Sequence, residues 1–113
     1  MAEEVKKFFA DFQGSIAKMK QQAPAMLQGF SQLFTKIMAD GAISTKEKEL
    51  VAVGIAVSQQ CEPCIKLHVK KCLEAGATKE QVLEAASVAV MMGGGPAYTH
   101  IPVVIETLEG LEE

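Results

Sequence analysis

Two short stretches constrain the fold more than any others. Ser44-Thr45-Lys46-Glu47 and Thr78-Lys79-Glu80-Gln81 each place a hydroxyl residue three positions ahead of Glu or Gln. In that pattern side chain and backbone cap each other at the start of a helix. Each stretch leads into an almost wholly apolar run, Leu50–Val57 after the first and Ala85–Met92 after the second. A helix apolar on all sides belongs at the centre of a bundle. The β-branched residues of Leu50–Val57 would also suit a buried strand. The capping box and the lack of strand partners elsewhere favour a helix, over roughly 45–59. The second box opens a helix that continues through about Met92.

The remaining segments fit the same class. Val5, Phe8, Phe9, Phe12, Ile16 and Met19 recur at steps of three and four, which predicts a one-sided helix over residues 3–22. Pro24 opens a second helix, with Met26, Leu27, Phe30, Leu33, Phe34, Ile37 and Met38 along its expected buried side and Asp40-Gly41 as its stop. A further helix is expected from about Glu62 to Ala75, ended by Gly76. Gly93-Gly94-Gly95-Pro96 breaks the chain. A last helix is expected from about Ala97 to Leu111, with Pro102 kinking it or delaying its start. The predicted fold is all-α: about six helices in one domain over residues 1–113. The third to fifth form its centre, and residues 1–41 form an N-terminal hairpin laid over it.

The chemistry concentrates in Cys61-Glu62-Pro63-Cys64-Ile65-Lys66-Leu67-His68. Pro63 suits a first helical turn, where a missing N–H costs nothing. Cys64 then sits near unpaired N–H groups and the positive end of the dipole, which favour thiolate over thiol. Such Cys-x-x-Cys thiols titrate at roughly 3.5–7.5 rather than ~8.5. His68 lies four residues on, on the same helix face. There it can take the thiol proton or stabilise the thiolate as imidazolium. Cys61 is placed to close a disulfide with Cys64.

Metal binding is the competing use of these thiols. Cys61, Cys64 and His68 supply three ligands, whereas a structural zinc site takes four. Cys72 extends the same row but lies two turns, about 12 Å, from Cys64, and is expected to pack in the core. His100 and Tyr98 follow the glycine break and could line a pocket. Gly93–Gly95 is not a phosphate loop, because no Lys-Ser/Thr follows and no strand precedes it.

Composition removes several functional classes. The net charge is −3, and all eleven basic residues are Lys. No basic footprint for nucleic acid is present, nor is the residue best suited to bidentate anion clamps. No stretch reaches the ~18 apolar residues of a membrane span. The start, Met-Ala-Glu-Glu-Val-Lys-Lys, is charged and does not read as a signal peptide. The expectation is a soluble, cytoplasmic protein without membrane or nucleic-acid partners, where a Cys-x-x-Cys is redox-active or metal-binding rather than a staple. With 49% hydrophobic residues and a mean hydropathy of +0.17, part of the apolar surface is expected to lie between subunits.

Glu49, Cys61, Cys64 and His68, at these separations, resemble the signature of the AhpD-like alkylhydroperoxidases of the carboxymuconolactone decarboxylase superfamily. The stretch from Lys46 to Leu111 is similar as well, including the turn at Ala75-Gly76-Ala77-Thr78 and Gly93-Gly94-Gly95-Pro96. The resemblance implies an all-helical fold that associates as trimers or hexamers, and reduction of a hydroperoxide substrate by a thiol pair. Cys64 would attack and Cys61 resolve. His68 and Glu49 would form a proton relay. No cofactor would be bound, and an external dithiol, a lipoyl group or a redox protein, would return the electrons. The best-known AhpD enzyme of this family has a second His inside its Cys-x-x-Cys. Pro63 stands there in this chain, which removes one relay member. The cysteine pair and the missing Arg weigh against the alternative of a lactone decarboxylase. A non-enzymatic zinc-binding or thiol-sensing module is a further alternative.

Overall fold

The structure, a computed structural model, describes residues 1–112. Its helices are α1 (Ala2–Gln22), α2 (Pro24–Met38), α3 (Thr45–Ser58), α4 (Glu62–Glu74), α5 (Lys79–Gly93), the single turn α6 (Gly95–Tyr98) and α7 (Ile101–Glu112). Among the described residues there is no strand.

Both capping boxes form. Ser44 Oγ accepts from the Glu47 N–H at 3.1 Å while Glu47 Oε1 accepts from the Ser44 N–H at 2.9 Å. Thr78 and Gln81 repeat the arrangement at 3.1 and 2.9 Å. The Ser44 and Thr45 N–H groups hold the carboxyls of Glu47 and Asp40 below their usual range. Their support for the start of α3 is therefore present at neutral pH and is lost as pH falls through the carboxylate range. Pro102 falls at the second position of α7 and delays the helix, so the segment from Gly95 divides into α6 and α7 rather than forming one kinked helix.

The core lies among α3, α4, α5 and α7, built from Val53, Val57, Ile65, Val69, Val82, Ala86, Val104 and Leu108. The α3 and α5 helices are less enclosed than their apolar sequences predict. Val51 and Ile55 of α3 and Val88, Met91 and Met92 of α5 face outward, Met92 at 76% exposure. Between the two helices runs an open apolar groove of about 430 Å³. The expected buried side of α2 is also corrected. No α2 residue is fully buried, Met26, Phe30, Leu33 and Ile37 are exposed, and only Leu27, Phe34 and Met38 are partly covered. Periodicity shows that a helix has an apolar face, not what covers it.

The α1–α2 hairpin lies against α3, α4 and α7. The first helix packs along α7, and Lys66 and Lys70 of α4 place their ammonium groups 4.8 and 4.7 Å from the Phe8 and Phe9 ring centres. The α1–α7 crossing is tight at Gly110, where an added Cβ would come 2.6 Å from Val5 Cβ. Gly110→Ala is therefore expected to destabilise the fold by about 1–2 kcal/mol, overpacking outweighing the better helix propensity of Ala. Thermal denaturation checks this, and Val5→Ala in the same chain should restore only part of the loss, because the alanine Cβ stays in the crossing.

Candidate functional site

The site is set by the way α3 hands over to α4. At the end of α3 the Gln60 N–H donates to the Val57 carbonyl and the Cys61 N–H to the Ala56 carbonyl. This is a Schellman closure, which needs a left-handed residue at Gln60, and Gln60 has φ +57°. The end of α4 closes in the same way, with Gly76 at φ +97° and N–H groups of Gly76 and Ala77 donating to Leu73 and Cys72. Glycine tolerates this conformation and glutamine is strained in it. Gln60→Gly is expected to add about 0.5–1 kcal/mol of stability, read from the midpoint of urea unfolding.

Cys61 follows as the N-cap of α4, its Sγ accepting the Cys64 N–H at 3.3 Å. Glu62, Pro63 and Cys64 make the first turn. Cys61 and Cys64 are joined in a disulfide, with Cα atoms 5.3 Å apart. Both cysteines are partly exposed, while Ile65 behind them is fully buried and anchors the turn. The sulfurs thus stand at the positive end of a helix, reachable from solvent, where negative charge on sulfur is stabilised.

One turn beyond Cys64, His68 Nδ1 lies 2.7 Å from Glu49 Oε1. A carboxylate only accepts, so Nδ1–H is the donor in this bond. Glu49, on α3, is 3% exposed, and the His68 side chain is 22% exposed. Glu49 is thus not a solvated residue that merely complements the dipole at the start of α3. The packing of α3 on α4 brings Glu49 to His68, one helical turn from Cys64.

Cys72 is fully buried in the core. Burial, with the Glu49 carboxylate as a lesser cause, pushes its thiol up to about 12, so it stays protonated and unreactive near neutral pH. His100 is tied to its own turn through Nδ1 and the Pro96 carbonyl at 2.8 Å. Tyr98 faces solvent, and neither lines the α3–α5 groove. Among the described residues no group of three or more His, Cys, Asp or Glu side chains is arranged to hold a metal ion. No helix among them is long and apolar enough to cross a membrane.

Sequence reasoning missed two residues beside the site. Gln60 bears the backbone strain that sets Cys61, and no sequence signal marks it, because Gly is the usual residue there. Phe34, from α2, stacks on the His68 ring with centroids 6.1 Å apart. It lies far away in sequence and looked like one more apolar residue of the α2 stripe.

The sequence profile of the carboxymuconolactone decarboxylase family matches residues 24–101. The chain belongs to this family. The family match begins at Pro24, so α2 is part of the shared unit and not an appendage to it. A family protein of Legionella pneumophila, solved by crystallography, superimposes with a TM-score of 0.92 at 33% identity, covering 98% of this chain and 99% of that one. Protein 4 of the cox locus of Paracoccus denitrificans is 40% identical over 74% of this chain and 75% of its own length. The alkyl hydroperoxide reductase AhpD of Mycobacteroides abscessus is 31% identical over 61% of this chain and 40% of its own length.

Proposed function

We propose that this member of the carboxymuconolactone decarboxylase family is a thiol-dependent peroxidase and disulfide oxidoreductase. One observation carries the proposal: the Cys61–Cys64 disulfide caps α4 one turn from the hydrogen-bonded Glu49–His68 pair. The similarity to AhpD over part of the chain supports it.

In the reduced protein, His68 Nε2 takes the Cys64 proton and Glu49 stabilises the imidazolium through Nδ1–H. The Cys64 thiolate attacks the terminal hydroperoxide oxygen. An S–O bond forms, the O–O bond breaks, and the proton on His68 passes to the departing alkoxide. The products are an alcohol and Cys64 sulfenic acid. The Cys61 sulfur then attacks the Cys64 sulfur, water leaves, and the disulfide seen here forms. An external dithiol, a lipoyl group or a redox protein, reduces it by exchange and becomes a disulfide itself. With Pro63 inside the Cys-x-x-Cys, His68 carries the proton transfer without a second imidazole.

Self-association belongs to the same proposal. The α2 stripe (Met26, Phe30, Leu33, Ile37) and the α3–α5 groove are two apolar surfaces of one chain that the chain itself leaves uncovered. Surfaces of this kind mark interfaces, and a second copy carries a surface to match each of them. Sedimentation should find a trimer or hexamer, and Ile55→Lys should shift it toward monomer.

The function is tested by supplying the protein with a hydroperoxide and a dithiol such as dihydrolipoamide. Catalytic, peroxide-dependent consumption of the dithiol is expected. No consumption with hydrogen peroxide or any alkyl hydroperoxide would overturn the proposal.

A further inference from the structure

We propose that Phe34 is a positioning residue for His68, holding the imidazole from its face while Glu49 holds it from its edge. The proposal rests on the peroxidase function above only for its effect on rate.

The Phe34 and His68 rings are 28° from parallel with centroids 6.1 Å apart, within the range of stacked pairs. Lys71, three residues after His68 on the same helix, places Nζ 4.9 Å from the Phe34 ring centre, a cation–π distance. The ring therefore bridges two side chains of α4. This contact is not part of a packed interface, because Phe30, Leu33 and Ile37 around it on α2 are exposed while Phe34 is partly covered.

The end of α2 is in turn clamped to α3. Lys48 Nζ donates to the Ile37 and Ala39 carbonyls at 2.7 and 2.6 Å. Thr45 Oγ1 donates to the Met38 carbonyl at 2.7 Å, and the Thr45 N–H donates to Asp40 Oδ1 at 2.8 Å. Glu49 is the next residue but three after Thr45. One joint thus fixes both groups that touch the imidazole. A hydrogen bond at Nδ1 alone lets the ring swing about that bond. A ring stacked beside it removes that freedom and fixes where Nε2 points.

The test compares wild type with Phe34→Leu, which keeps apolar bulk but has no ring plane, and Phe34→Tyr, which restores one. Two readouts are used. The first is the NMR signal of the His68 Nδ1–H proton in the protein without peroxide. It is expected to be protected in wild type and Phe34→Tyr, and to broaden by faster solvent exchange in Phe34→Leu. The second is peroxide-driven oxidation of the reduced protein. A roughly tenfold fall in the maximal rate is expected in Phe34→Leu, with half-saturation unchanged and recovery in Phe34→Tyr. An Nδ1–H signal in Phe34→Leu equal to that of wild type would overturn the proposal, whatever the rates. A lost signal in a protein that reduces no peroxide would leave the positioning role standing and remove the peroxidase.

Discussion

Cys64→Ser is expected to bring hydroperoxide-dependent dithiol oxidation down to background, a loss on the order of 10³-fold or more. The serine hydroxyl has neither the acidity nor the soft sulfur that attack on an O–O bond requires. The helix start that stabilises a thiolate cannot produce an alkoxide at neutral pH. Cys61→Ser separates the two sulfurs. That variant should still consume one equivalent of peroxide, because Cys64 keeps its place in the first turn of α4. It should then stop at sulfenic acid, trappable with a dimedone reagent, because no neighbouring thiol closes the disulfide. Turnover assays with each variant check the assignment. Equal rates in Cys64→Ser and wild type would sink it, and a sulfenic acid mapped to Cys61 in Cys64→Ser would exchange the two roles.

The second large effect concerns the Glu49–His68 pair. His68→Ala is expected to lower the maximal rate by roughly 10²–10⁴-fold, the usual range for a lost acid–base group. Glu49→Gln should cost less, about tenfold, because its amide oxygen still accepts from Nδ1–H but carries no charge to stabilise the imidazolium. Stability distinguishes the partners in a different way. His68→Ala leaves the buried Glu49 carboxylate without its 2.7 Å partner, at a cost of roughly 1–3 kcal/mol. Replacing both, Glu49→Leu with His68→Leu, should recover most of that stability, since replacing both partners of a hydrogen bond by apolar groups of similar shape costs little. Activity should not return. Urea unfolding and steady-state rates on the same set of variants check both halves.

What could be read from the sequence was local. The capping boxes at Ser44 and Thr78, the first turn containing Pro63 and the glycine closure at Gly76 each depend on residues within one turn, and each forms as expected. The same holds for Cys61, Cys64 and His68, whose separations of three and four residues fix their relation once α4 exists. Glu49 is nineteen residues from His68, and helix geometry alone does not connect them. Resemblance to a family pattern pointed to Glu49, and packing of α3 on α4 brings it to the imidazole. Phe34 had no such pointer and was not found. The α2 stripe shows the same boundary from the other side. Its spacing is amphipathic, yet Phe30 is 61% exposed in the folded chain, because a hydrophobic period specifies a face and leaves its partner open. Pro102 marks a disturbance in the last helix, but its neighbours in sequence do not say whether it kinks a helix or starts one; in the fold it takes the second position of α7.

The most direct measurement is peptide mass spectrometry of the reduced protein before and after a short pulse of hydroperoxide. The account predicts a loss of two hydrogens confined to the peptide holding Cys61 and Cys64, reversed by a dithiol, with Cys72 unchanged in its buried, protonated form. Cys61 and Cys64 remaining as free thiols after the pulse, or oxidation falling on Cys72 instead, would contradict it.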